Sequence, residues 1–206
     1  MTSLRTSGTC RIVGAGLLGT SIGLALTKAG LDVVIEDATP TNARLAIDYG
    51  AGRKASESDD PSIIVVCVPP DVTASVVAAE LERFPNAVVT DVASVKSSIL
   101  HDLTTRGADL SRYLGSHPMA GRERGGALSG RADLFIARPW VLAVHESASA
   151  RAVSAVEDLA LDLGAIPSRM SPEAHDRAVA LVSHAPQVVS SLLAARLANA
   201  DASDVA

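Results

Sequence analysis

The chain has 206 residues and a net charge of −5; 48% of it is hydrophobic but only 2% aromatic. That length accommodates one full α/β domain and part of a second, with a core of Ala, Val, Leu and Ile. The absence of a basic run and of stacking aromatics argues against a nucleic-acid partner, and the absence of an N-terminal signal or long unbroken apolar segment argues against a membrane protein. The two cysteines, Cys10 and Cys67, are expected as reduced, buried thiols at opposite edges of a sheet in a cytoplasmic protein.

Arg11–Ile35 reads as apolar strand, glycine turn, apolar helix and second strand. The turn is Gly14-Ala15-Gly16-Leu17-Leu18-Gly19, a G-x-G-x-x-G fingerprint in the strand-to-helix setting that gives it meaning. Gly14 permits the tight turn, Gly16 lets backbone approach a pyrophosphate, and Gly19 lets the helix pack on the sheet. The helix N-terminus, at Leu17 and Leu18, offers free N–H groups to that anion. The fingerprint requires an acid at the end of the second strand for a ribose diol, and Glu36-Asp37 stands there. Asp37 favours NAD over NADP, because a carboxylate repels a 2′-phosphate and the next arginine is Arg44. The competing reading is a glycine turn that serves packing alone.

A short helix is expected over Thr41–Tyr49, then a polar loop, then a buried β-branched strand over Ile63–Val68 that stops at Pro69-Pro70. Ligands of doubly wound sheets sit beyond the carboxyl ends of strands, so Val68 and Pro69 should border the dinucleotide. A helix over Val72–Phe84 and a strand over Ala87–Thr90 follow. Ser94 then reads either as the N-cap of a helix over Val95–Thr105 or as a hydroxyl facing nicotinamide and substrate; the two are compatible. Lys96 reads as a solvated lysine of the first turn.

Gly115–Gly126 is rich in glycine, lacks helical periodicity and reads as a functional loop. It carries His117, the best candidate base, against the alternative of a hydrogen-bonded structural histidine. Arg122 and Arg124 are either carboxylate ligands or a solvated face. A strand over Trp140–Val144, an amphipathic helix over Ser149–Leu163 and a short extended segment come next. Ser171 and Pro172 mark the N-cap and first position of a helix running to about Asn199. Its apolar stripe requires a partner, so a helical domain is expected to begin here and to be cut off at Ala206. The expected division is 1–171 for nucleotide binding and 172–206 for the helical start.

Four pieces together resemble the prephenate/arogenate dehydrogenase family of tyrosine biosynthesis. They are the glycine turn, Asp91–Lys96, Gly115–Gly121 and His175–His184. The resemblance implies a Rossmann-type, doubly wound, mostly parallel α/β sheet followed by an all-helical C-terminal domain that forms a homodimer. It implies oxidative decarboxylation of prephenate to 4-hydroxyphenylpyruvate, with hydride passing to NAD, or the same reaction on arogenate to give tyrosine. His117 matches the family's catalytic base, Ser94 the serine that bonds both that base and the ring hydroxyl, and Ser183 a residue of the substrate pocket. No metal is implied. Gln187 replaces a second histidine usual in the family, facing the substrate side chain, and leaves keto acid against amino acid open. Arg122 replaces a small hydroxyl residue, and the arginine that clamps the ring carboxylate is expected beyond Ala206. Other readings are a non-catalytic nucleotide sensor, a truncated remnant, or a 3-hydroxy acid dehydrogenase. The last uses a catalytic lysine in its helical domain, and no Lys follows Lys96.

Overall fold

The structure, a computed structural model, describes residues 4–121 and 124–198. The chain opens with strand β1 (Thr9–Val13), helix α1 (Leu17–Ala29), β2 (Asp32–Glu36), α2 (Pro40–Asp48) and β3 (Arg53–Lys54). It then returns to the other side of β1 with β4 (Pro61–Val66), α3 (Pro70–Arg83), β5 (Val88–Asp91) and α4 (Ser97–Thr105). The five strands pair in parallel in the order β3-β2-β1-β4-β5. Successive units thus wind outward from β1 in one direction and then in the other. The loops after β1 and β4 part at that reversal and leave a crevice between them.

Burial follows the alternation of side chains along each strand. Ile63 and Val65 of β4 join Ile12, Ile22, Leu26 and Ile35 in a core on the α1 side. Ile64 and Val66 join Val77, Leu81, Val89, Ile99 and Leu103 under α3 and α4. Both faces of the sheet are covered, which is why β-branched runs rather than alternating patterns fill these strands.

A second sheet holds β6 (Gly115–Pro118), β7 (Pro139–Ala143) and β8 (Ile166–Met170), with α5 (Ala150–Asp162) between the last two. β6 is antiparallel to β7 and β7 parallel to β8. A bridge between Val89 and Tyr113, with Leu114 N–H donating to Val89 O at 3.0 Å, joins it to β5. Ser149 caps α5 and Ser171 caps α6 (Pro172–Val179), each hydroxyl accepting from the N–H three residues on. A π-helical turn over Ala180–His184 separates α6 from α7 (Ala185–Ala198).

Several expectations change. Gly115–Pro118 is a strand and not a loop, because β7 offers it a partner from further along the chain, Trp140 pairing with Pro118. The helix from Pro172 continues to Ala198 as expected, but with a π-helical turn inside it. Helix α4 starts at Ser97, so Ser94 is not its N-cap. Cys10 is buried, but Cys67 is only half-buried, just past β4. Lys96 is buried and not solvated: its ammonium bonds the carboxylate of Asp91 and donates to Ser116 O at 2.9 Å. A buried carboxylate at a strand end requires such a counter-charge. No helix among the described residues is long and apolar enough to cross a membrane.

Candidate active site

The crevice is a cavity of about 860 Å³. The glycine turn forms one wall through Gly14, Gly16, Leu17 and Leu18, and Val68 and Pro69 face it. Each glycine has its own reason. Gly14 has φ +107°, and a Cβ there would run into Cys67 O of the loop after β4. A Cβ at Gly19 would strike Gly14 O, so Gly19 sits behind the wall and sets how closely α1 approaches β1. Gly16 has nothing within 4 Å of where its Cβ would stand. Packing does not require glycine at that position; the open space lies on the cavity side, where a Cβ would fill the cradle.

Gly16 is also the N-cap of α1, without a side-chain cap, and the first turn carries no acidic residue. The unpaired N–H groups and positive end of the helix therefore point to the cavity. The acid at the end of β2 is Asp37. Its carboxylate accepts from Ala15 N–H at 2.7 Å and from Thr39 N–H at 2.8 Å, which fixes it on the cavity rim. Glu36 turns away to Arg11 and Arg83. An anion cradle beside a held carboxylate fits the pyrophosphate and ribose diol of a dinucleotide.

Ser94 and His117 line the same cavity, with Val92, Ala93 and Pro118 beside them. Ser94 lies in the loop that leaves β5, and His117 on β6. Behind His117 is a chain of hydrogen bonds from α6. His117 Nδ1 lies 2.9 Å from His175 Nε2, the rings meeting edge to face, and His175 Nδ1 lies 2.8 Å from Asp176 Oδ1. His175 is fully buried. Asp176 also accepts from Lys96 N–H at 2.9 Å and Ser97 N–H at 2.8 Å, at the start of α4. Burial pushes its carboxyl up, but the bonds from Ser97, His175 and Lys96 outweigh that and hold it down at about 2.

Beneath β6, Asp91 accepts from Tyr113 OH at 2.6 Å and Ala93 N–H at 2.9 Å, besides pairing with Lys96. Burial lowers the Lys96 pKa while Asp91 opposes that shift. The Cys67 thiol lies on the cavity wall, and burial pushes its pKa up. Among the described residues no cluster of three His, Cys, Asp or Glu could hold a metal.

Of the other expected residues, Arg122 lies outside the described residues, as do the side chains of Ser183 and Gln187. Arg124 is exposed. The His175–Asp176 pair was missed as part of the site. A signal existed: Pro172, His175 and Val179 are the buried stripe of α6, so the spacing alone turns His175 inward.

The chain matches the family model described as the prephenate dehydrogenase nucleotide-binding domain over residues 22–167, and the prephenate dehydrogenase dimerization domain over 171–205. The chain belongs to the prephenate dehydrogenase family. It is 42% identical over 193 residues to a probable prephenate dehydrogenase, NovF, of Streptomyces niveus, covering 94% of this chain and 53% of that protein. It is 27% identical to the prephenate dehydrogenase of Bacillus subtilis, covering 90% of this chain and 52% of that one. The chain thus spans about half the length of these relatives. Among solved structures it resembles the Aquifex aeolicus prephenate dehydrogenase, with TM-score 0.84 and 26% identity over 91% of this chain and 70% of that one. It also resembles the Synechocystis arogenate dehydrogenase, with TM-score 0.80 and 27% identity over 96% and 72% of the two chains. The match to the nucleotide-binding domain runs from within α1 to the start of β8.

Proposed function

We propose that this chain supplies the NAD site and the catalytic base of an enzyme that oxidatively decarboxylates prephenate to 4-hydroxyphenylpyruvate. One observation carries the reading: His117 and Ser94 share a single cavity with the glycine turn and Asp37. A bare nucleotide sensor has no use for that juxtaposition. Relatives named prephenate dehydrogenase support the substrate class.

Gly14, Gly16, Leu17 and Leu18 would hold the pyrophosphate, and Asp37 the ribose diol with a preference against a 2′-phosphate; Val68 and Pro69 form the opposite wall. NAD supplies the hydride acceptor. His117 accepts the proton of the ring hydroxyl as its carbon is oxidised, and Ser94 orients that hydroxyl. Loss of the ring carboxylate as carbon dioxide then makes the ring aromatic. Ser183, Gln187 and Arg122 are assigned to the substrate side. Gln187 in place of a histidine favours testing arogenate beside prephenate, since a neutral amide tolerates an ammonium group.

We place the domain boundary between 171 and 172, supported by the Ser171 cap and by the meeting of the two family matches between 167 and 171. Leu181, Val182, Val189, Leu192 and Leu193 are exposed, which supports burial of this segment in further helices and a homodimer.

The test is NADH formation with prephenate and with arogenate, on this chain and on a version extended past Ala206. His117→Asn should lower turnover at least ~100-fold, the usual contribution of a general base, with NAD affinity kept. Unchanged turnover would overturn the assignment.

A further inference from the structure

The hydrogen-bond chain behind His117 has a direction, and the direction decides which ring nitrogen of His117 carries the proton. Asp176 is the anchor. Its carboxylate takes two backbone N–H groups, from Lys96 and Ser97, and is held ionised. An ionised carboxylate can only accept, so His175 must donate to it through Nδ1–H. A neutral imidazole has one N–H, so His175 Nε2 is then an acceptor. That atom faces His117 Nδ1 at 2.9 Å, so His117 must be the donor there. With both rings neutral, His117 carries its proton on Nδ1 and its lone pair on Nε2. That is the opposite of the tautomer histidine prefers in water.

We infer that His175 is a positioning residue, which with Asp176 locks His117 in the Nδ1–H tautomer and so presents Nε2 as the proton acceptor. This rests on the proposed role of His117 as base. Three features favour it over a merely packed histidine. His175 is fully buried, so water cannot substitute for either partner. Both of its ring nitrogens have partners. Its two partners lie on different elements, β6 and α6, so the pair forms only when α6 is seated. The charged groups around it are Asp176 on its own helix, Lys96 from the loop before α4, and Asp91 at the end of β5, the last two already paired. When His117 takes a proton, the bond through His175 to Asp176 stabilises the resulting cation.

The decisive measurement needs neither substrate nor turnover. Two-bond 1H–15N correlation spectra of the histidine-labelled chain at about pH 8, above the ordinary histidine range, read the tautomer of each ring. His117 is expected as Nδ1–H. His175→Gln, whose amide oxygen can still accept, should keep that tautomer. His175→Phe should return it to Nε2–H. In the NADH assay His175→Phe should lower kcat at least ~10-fold while NAD affinity stays within about twofold, and His175→Gln should recover much of the loss. A wild-type His117 in the Nε2–H form overturns the inference, and that spectrum is decisive even if His175→Phe does not fold. An Nδ1–H tautomer surviving in His175→Phe overturns it too. An inactive enzyme whose His117 is nonetheless Nδ1–H would refute the proposed reaction and leave the tautomer lock standing.

Discussion

Gly16 and Gly19 are both glycines of one fingerprint, yet the structure assigns them separable duties. The Cβ of an alanine at 19 would collide with Gly14 O, whereas at 16 it would meet no protein atom. Gly19→Ala should therefore cost about 1–3 kcal/mol of stability, as overpacking does, seen as a lower urea midpoint. Gly16→Ala should leave that midpoint unchanged but weaken NAD at least ~10-fold by calorimetry, about 1.4 kcal/mol, because only a bound pyrophosphate would meet its methyl. Equal effects on folding would mean that Gly16 serves packing after all. Asp37 shows the same division of labour beside Glu36: one carboxylate faces the cavity, while its neighbour is committed to Arg11.

The element that matters most is β6, because it carries His117. Its position depends on Lys96 beneath it, which ties Asp91 of β5 to Ser116 O of β6. Lys96→Met would leave the Asp91 carboxylate buried without its counter-charge. The expected cost is about 3–5 kcal/mol in urea unfolding. The double variant Asp91→Asn/Lys96→Met should be less damaging than Lys96→Met alone, since no charge is then stranded. A double variant as unstable as the single one would show that Lys96 acts through packing and not through charge. Helix α4 illustrates how elements share ends: its first N–H groups are capped by Asp176 of α6 and not by a local side chain.

Across the whole molecule, Asp176 is a clasp between the doubly wound sheet and the helices that follow. Its hydrogen bonds lower its pKa from the ordinary 3.8 to about 2. A carboxyl depressed by folding stabilises the native state fully above its unfolded value, and that contribution is lost as pH falls through the folded value. Stability attributable to the clasp should therefore disappear between about pH 4 and pH 2. Asp176 is partly solvated, so the expected size is only about 1 kcal/mol. Comparison of urea unfolding at several pH values should give a flatter acid limb for Asp176→Asn than for the wild type. An identical limb would mean that the carboxylate gains nothing from α6 docking.

The order strand–glycine turn–helix–strand–acid, the buried run that became β4 and the cap at Ser171 were legible from the amino acids alone, because each depends on neighbours within a few residues. Ser94 could be nominated for the same reason, as a hydroxyl just past an apolar run, and His117 as the histidine of a glycine-rich stretch. The second sheet was legible only in part: a strand near β7 and an extended segment near β8 were expected, but Gly115–Pro118 becomes a strand only when β7 lies beside it. The burial of Lys96 was not legible, because a charge pattern reads it as solvated until Asp91 folds beneath it. The contact of His117 with His175, 58 residues apart, is the clearest case. Short-range preferences decide which elements form and where they begin, whereas the partner of a ring nitrogen is set by which elements pack together, and only the tertiary structure decides that.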